Sequence, residues 1–375
     1  SGRGYLGDWA LHISTLLYVA SLLGVAPYLS RYAVVLGASE TEVSLLATSY
    51  AITAILLRLA VGPLNDRGYA VPLMVLGGLL NSASILAYST ASSLTVLYVG
   101  RLLQGVSVAL FIPASLYSAS VTGARAQRVI VWRSTMWGLG SALGPALMGY
   151  ILSRSSWQAM FYTAALASLA SAAVSSLYRG GAVDRRAGGV EASILTRPFI
   201  LASITLFTYV IGFQSLSYFL PSLHEVEGLP ESETAAFFTV MASANLASRL
   251  ALSLKPNFNP AATALAGALA SIAGYTIAAM EPQGMQALIA AVLAGVGLGT
   301  LFPSLQVISL LGVPEARRGL ASSLYTAMFD LGALIGPPIV ITISGSYRNS
   351  LITSALIVAT TIAPIALIWR EAGKR

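Results

Sequence analysis

Long apolar runs separated by short polar loops fill the chain from end to end. Runs of 18 or more such residues lie near 9 to 30, 42 to 61, 71 to 89, 94 to 117, 129 to 152, 157 to 178, 198 to 222, 234 to 254, 261 to 280, 285 to 311, 320 to 343 and 349 to 369. Each can cross a hydrocarbon core of ~30 Å at ~1.5 Å per helical residue. The runs are continuously apolar and lack the ten-residue alternation of membrane barrel strands, so they predict helices. The pattern occurs twice, about 191 residues apart: Gly105 and Pro113 recur as Gly295 and Pro303, Arg58 as Arg249, and Gly140, Gly144, Pro145 as Gly332, Gly336, Pro337. The fold class expected is therefore an all-α integral membrane protein. It has twelve transmembrane helices in two pseudo-symmetric six-helix bundles, 1–178 and 198–375. The segment 179–197, with Gly180, Gly181, Gly188 and Gly189 among Arg and Asp, reads as a cytoplasmic linker, either a flexible spacer or a short amphipathic helix.

Composition agrees with this pattern. The 375 residues are 56% hydrophobic and only 9% charged, too few charges to cover a soluble globule of this size. The net charge of +7 carries its meaning in its distribution. Fifteen of the 21 basic residues fall in alternate loops or tails: Arg3, Arg67, Arg125, Arg128, Arg133, Arg179, Arg185, Arg186, Arg197, Lys255, Arg317, Arg318, Arg370, Lys374 and Arg375. The opposite loops hold Arg31, Arg154 and Arg348 with the acids Glu40, Glu42, Glu225, Glu227, Glu231, Glu233 and Glu281. By the positive-inside rule both termini are expected in the cytoplasm of a multi-pass plasma-membrane protein. These bases need no nucleic-acid partner; membrane lipid, a small-molecule substrate and protons are the partners expected, for a monomer. The first apolar run has no small-residue cleavage signature and has a counterpart in the second half, so it is expected to be a span. Cysteine is absent, and His12 and His224 lie far apart in the topology, so neither a disulfide nor a metal site is supported and no cofactor is expected. His12 sits one turn from Asp8, where an interfacial ion pair is expected.

The charges inside the spans break the repeat. Asp330 falls opposite Gly138 and Arg101 opposite Ala291. Asp330 is the one carboxylate deep within any span. Desolvation penalises its ionised form, so it either stays protonated or finds a cation. Three readings follow: a proton carrier, a counter-ion for a cationic substrate, or a structural pair with Arg101 or Arg58. Arg101 lies ~10 Å from the outer end of span 4 by helical rise, and must face protein or water. It is read either as part of proton coupling or as a structural arginine bonding helix carbonyls.

Three motifs carry a resemblance. Span 2 leads into Arg58, Gly62, Pro63, Leu64, Asn65, Asp66, Arg67 and Gly68; span 4 reads Gly100, Arg101, Gln104, Gly105 and then Pro113; span 5 reads Gly140, Gly144, Pro145, Gly149. In this order on these spans the chain resembles the major facilitator superfamily over essentially its whole length. It is most similar there to the twelve-helix proton-coupled, drug:proton antiporter-like members. The resemblance implies alternating access and associates the position of Arg101 with proton coupling, which joins it to Asp330, the deep carboxylate, as the expected coupling residues. It also implies gating by Gly62, Asp66, Arg67, Gly140, Gly144, Pro145, Gly336 and Pro337, with Asp66 latching to the cytoplasmic start of span 11. The glycine runs would lie between the halves or serve ordinary helix packing. The chain departs from the family pattern: Gly68 comes one residue early, Tyr69 and Ala70 stand where basic residues are usual, and the matching turn Lys255, Pro256, Asn257 lacks an acid. The latch is expected to be one-sided.

Polar and aromatic residues on spans expected to line a central cavity are Tyr18, Gln104, Trp137, Tyr209, Gln214, Asn245, Gln306 and Tyr325, candidate substrate contacts or helix-packing groups. Arg58 and Arg249 are a possible anion clamp, or arginines that snorkel to the interface. The function expected is secondary active transport of a small organic solute, by proton-coupled export. The alternatives are uptake or exchange of an organic or inorganic anion, and a non-transporting sensor or scaffold. No catalytic dyad or nucleophile with a positioned base is present, so an enzyme is not expected.

Overall fold

The computed structural model describes residues 2–38, 40–179, 193–255 and 257–372. Most of the expected linker therefore lies outside the described residues. The described chain is helical and divides into two compact units, residues 1–194 with 314–327, and residues 195–313 with 328–375.

The first unit contains α1 (Gly2–Val35), α2 (Glu40–Leu64), α3 (Ala70–Ser89), α4 (Leu94–Ser120), α5 (Ala126–Arg154) and α6 (Trp157–Ser176). It also takes the first ten residues of α11 (Arg318–Ser344). Within it α3 packs on α4 and α6, α1 on α5 and α6, and α2 on α4. Small residues set these contacts. A Cβ on Gly105 would stand 2.2 Å from the Tyr50 carbonyl oxygen, and one on Gly144 2.5 Å from that of Ala20. Glycine there lets α4 and α5 approach α2 and α1 backbone to backbone.

The second unit contains α7 (Arg197–Val226), α8 (Glu231–Leu254), α9 (Pro260–Met280), α10 (Gly284–Leu311), the rest of α11, α12 (Tyr347–Ala359) and α13 (Ile362–Ala372). The packing order recurs: α9 on α10 and α12, α7 on α12, α8 on α10. Gly295 meets Met241 and Asn245 as Gly105 meets Tyr50, and Gly332 and Gly336 bring α11 onto Phe207 and Ile211 of α7. The last apolar run is one candidate span, Tyr347–Arg370, as expected, with its helix interrupted at Thr360 and Thr361. Pro364 lacks the N–H that the Thr360 carbonyl would accept, and its ring crowds that carbonyl.

Among the described residues, ten helices are long and apolar enough to cross a membrane. Within α2 the stretch Ser49–Arg58 is a shorter apolar segment bounded by residues with side chains outside the described ones, and α5 is not among the ten. Helix α5 is diluted by Arg128, Arg133, Ser134 and its glycines.

Candidate transport site

After Leu64 the chain winds on through a π turn, Asn65–Tyr69, before α3. Gly68 closes the turn at φ +87°, a left-handed conformation that strains any residue with a Cβ, so the early glycine has a local reason. The turn aims Asp66 at the start of α11 within the first unit. Its carboxylate accepts the backbone N–H groups of Gly319 (2.6 Å) and Leu320 (3.1 Å). First-turn N–H groups have no acceptor in their own helix and carry the positive end of its dipole, so an anion satisfies both. Gly62 and Gly319 make the approach possible: a Cβ would lie 2.8 Å from Leu320 Cα in one case and 2.6 Å from Asp66 N in the other. Arg318 donates to the Ser120 carbonyl, and Ser322 Oγ to the Pro113 carbonyl at 3.0 Å, extending the contact along α4. Arg67 is exposed.

Arg101 lies in the interior of the first unit. Its Nε donates to the Leu46 carbonyl (3.0 Å), its Nη1 to Gln104 Oε1 (2.7 Å), and its guanidinium stands 4.6 Å from the Tyr50 ring centroid. The Tyr88 hydroxyl donates to the same Gln104 oxygen (3.1 Å), and the Gln104 amide to Asn81 Oδ1 (3.1 Å). The Asn81 amide donates to Ser21 and Ser168, each at 3.0 Å. One polar chain thus joins α1, α2, α3, α4 and α6, and all of its side chains are buried. In the second unit the matching positions are Ala291, Ala294 and Ser271, where no such chain can form.

Arg133, grouped by the sequence with cytoplasmic loop bases, is instead within α5 and only 1% exposed. Its Nε and Nη2 donate to Ser115 Oγ (2.9 and 2.7 Å), and Nη2 to the Ile112 carbonyl (3.3 Å). The Trp137 ring is 5.9 Å away. Around the neighbouring turn of α1, His12 is buried with Trp9 and Trp132 at ring distances of 6.1 and 6.4 Å. The expected Asp8–His12 pair gives way to an ion pair between Asp8 and Arg125, because His12 turns inward. Tyr18 stacks on Phe111 at 3.8 Å and hydrogen-bonds Ser107 at 2.7 Å.

In the second unit Arg249 donates to Asn245 Oδ1 (2.8 Å) and lies 5.6 Å from the Phe302 ring. The Tyr209 and Ser271 hydroxyls are bonded at 3.1 Å. Gln306 is buried and Gln214 half-buried. Asp330 is 8% exposed, twelve residues into α11, which is ~18 Å from its start. Among the described residues the buried charged groups other than histidine are Arg58, Arg101, Arg133, Arg249 and Asp330. That set is four guanidiniums to one carboxylate.

A model of the Major Facilitator Superfamily matches residues 11–337 and 257–375. The chain belongs to the Major Facilitator Superfamily. The methylenomycin A resistance protein of Bacillus subtilis (strain 168) is 32% identical over 131 residues, 34% of this chain and 28% of that protein's length. Among solved structures, the human organic anion transporter MFSD10 (TETRAN) superposes with a TM-score of 0.77 at 12% identity, covering 96% of this chain and 99% of that one. The E. coli fucose:proton symporter FucP gives 0.78 at 16% identity, covering 96% and 98%. The proton:xylose symporter XylE gives 0.77 at 14%, covering 99% and 96%. At these identities the likeness is one of fold. The superfamily and these structures are transporters, not enzymes, and the chain is a multi-pass plasma-membrane protein.

Within this superfamily fold the candidate residues divide by setting. Tyr18 and Gln104, expected to line a cavity, have their polar atoms bonded inside the first unit, and Tyr325 is also buried there. Trp137 and Asn245 are half-buried beside arginines. Gly140 and Gly144 face α1, Gly336 faces Ile211 of α7, and the Pro145 carbonyl accepts the Tyr28 hydroxyl at 2.8 Å. Pro337 lies within α11. Sequence reasoning placed Arg133 among the loop bases, assigned Ser115 no partner and passed over Gly319. The Arg133–Ser115 pair has no local signature, while Gly319 could have been noticed as a glycine directly after the basic pair Arg317 and Arg318.

Proposed function

We propose that the chain is a secondary active transporter that exports a small organic solute in exchange for protons, by alternating access across twelve spans with both termini in the cytoplasm. The observation that carries the coupling is Asp330. It is a carboxylate buried in the middle of α11, on the helix whose first turn holds Asp66. A carboxyl group in that setting changes charge when water or a guanidinium comes within reach, which is the property coupling requires. Asp66 and the glycines around it supply the release step: two N–H bonds that form in one state and open in the other. Support from relatives is of two kinds, a resistance protein in sequence and proton symporters in fold.

The test is transport in proteoliposomes with an imposed pH gradient, across a panel of cations, anions and neutral solutes. Solute movement is expected to follow the gradient, and Asp330→Asn to uncouple it. Transport that ignores the gradient and is unchanged in Asp330→Asn sinks the reading.

A second reading, uptake or exchange of an anion, is favoured by the excess of buried guanidiniums and by the fold likeness to an organic anion transporter. Loss of anion binding in both Arg58→Ala and Arg249→Ala, with no transport driven by protons, would put it in first place.

A further inference from the structure

The seam between the end of α2 and the start of α11, inside the first unit, carries more than the two bonds of Asp66. Asn65, the residue before it, is 0% exposed, and neither its amide oxygen nor its amide nitrogen has a hydrogen-bond partner. Ser323 is also 0% exposed, and its hydroxyl has none either. Both side chains stand at the closest approach of the two elements. A Cβ on Gly319 would lie 2.7 Å from Asn65 Cβ, and one on Gly62 3.2 Å from Ser323 Cβ. Neighbouring hydroxyls of α11 do find acceptors: Ser322 donates to the Pro113 and Gly319 carbonyls (3.0 and 2.8 Å), and Thr326 to the Ser322 carbonyl (2.8 Å). The Gly319 carbonyl, one turn back from Ser323, thus already serves Ser322. With no exposed surface, Asn65 and Ser323 leave no room for a water against them while the seam is closed.

Closing the seam therefore sets two terms against each other. Asp66 gains charge-assisted bonds to two N–H groups that have no acceptor in their own helix. In exchange, three buried polar atoms lose the water they meet when the seam is open, and orphaned donors and acceptors cost free energy of the same order as such bonds contribute. An apolar side chain at position 65 would fill the same space without that cost. At the spacing that pairs Arg58 with Arg249, Asn65 falls opposite Pro256, so its amide is no part of the pattern the halves share.

We propose that Asn65, together with Ser323, is a counterweight to Asp66: their stranded polar atoms hold down the stability of the latched seam and so set how readily it opens. This deepens the proposed function and rests on it only in requiring that Asp66 releases α11.

Hydrogen–deuterium exchange of the purified full chain, with no solute and no pH gradient, reads the seam directly, because the Gly319 and Leu320 amides are the groups bonded to Asp66. Asn65→Leu keeps the shape of the side chain and removes two of the stranded atoms. It is expected to slow exchange at Gly319 and Leu320 by about tenfold or more, the size of one relieved orphan group. Ser323→Ala removes the third and is expected to slow exchange by about threefold or more. Unchanged or faster exchange in Asn65→Leu overturns the proposal, and where that variant does not fold, the same result in Ser323→Ala does so. Asp66→Asn in the same assay separates the counterweight from the latch it acts on. If Asp66→Asn leaves exchange unchanged, there is no latch and both ideas fall; if it speeds exchange while Asn65→Leu and Ser323→Ala fail to slow it, only the counterweight falls.

Discussion

A guanidinium keeps its proton in nearly any surroundings, so a protein that buries one must supply acceptors rather than change its charge. Arg101 shows how: a carbonyl from α2, an amide oxygen on its own helix and the face of Tyr50 share the load. Gln104 is the hinge of that arrangement, because one oxygen serves Arg101 and Tyr88 while its nitrogen serves Asn81. Replacing it by alanine leaves a buried charge and two buried polar groups short of partners. Gln104→Ala is therefore expected to destabilise the fold by about 3 kcal/mol, seen as a lowered thermal midpoint in detergent, whereas Gln214→Ala should cost under about 1 kcal/mol. At this scale the sequence was partly legible. Arg101 and Asp330 stand out because no other charged residue lies within ten positions on either side. Arg133 did not, because Arg125, Arg128 and Trp132 precede it and mimic the basic edge of a span; only its contact with Ser115, across a helix pair, shows that it turns inward.

Close helix contacts in this chain are set by glycines that let a neighbouring helix approach. Gly144 makes the closest approach to another backbone in the α5 set, with the Ala20 carbonyl where a Cβ would go. Gly144→Val is expected to push α5 from α1 and lower stability by about 1–3 kcal/mol, read from the same thermal assay. The turn between α2 and α3 acts on α11 through two bonds to its first N–H groups. Asp66→Asn removes the charge and one of the two acceptors. Faster hydrogen–deuterium exchange across Arg318–Ser322, by about tenfold or more, is the expected result, with the rest of α11 unchanged. The glycine and proline runs marked close helix approach without naming the partners, since close approach inside a membrane leaves few residue types to choose from. The partner of Asp66 could be named only through the family resemblance, as a bond spanning 253 residues has no trace in local pattern.

The whole molecule offers an experimental convenience: it contains no cysteine, so any introduced thiol is the sole reporter. Arg128 and Met285 are both exposed, near the starts of α5 and α10. With cytoplasmic termini, Arg128→Cys should react with a membrane-impermeant maleimide from the cytoplasmic side alone, and Met285→Cys from the outside alone. Labelling on the opposite sides would reverse the topology. One helix, α11, gives its first ten residues to the first unit and the remainder to the second. That division has a consequence for biosynthesis. When the ribosome has completed the first six helices, Asp66 and the C-terminal part of α4 still await Gly319, Leu320 and Ser322, which emerge only after α10. The first unit is thus an unfinished product for most of translation, and its final hydrogen bonds form only after α11 has been made.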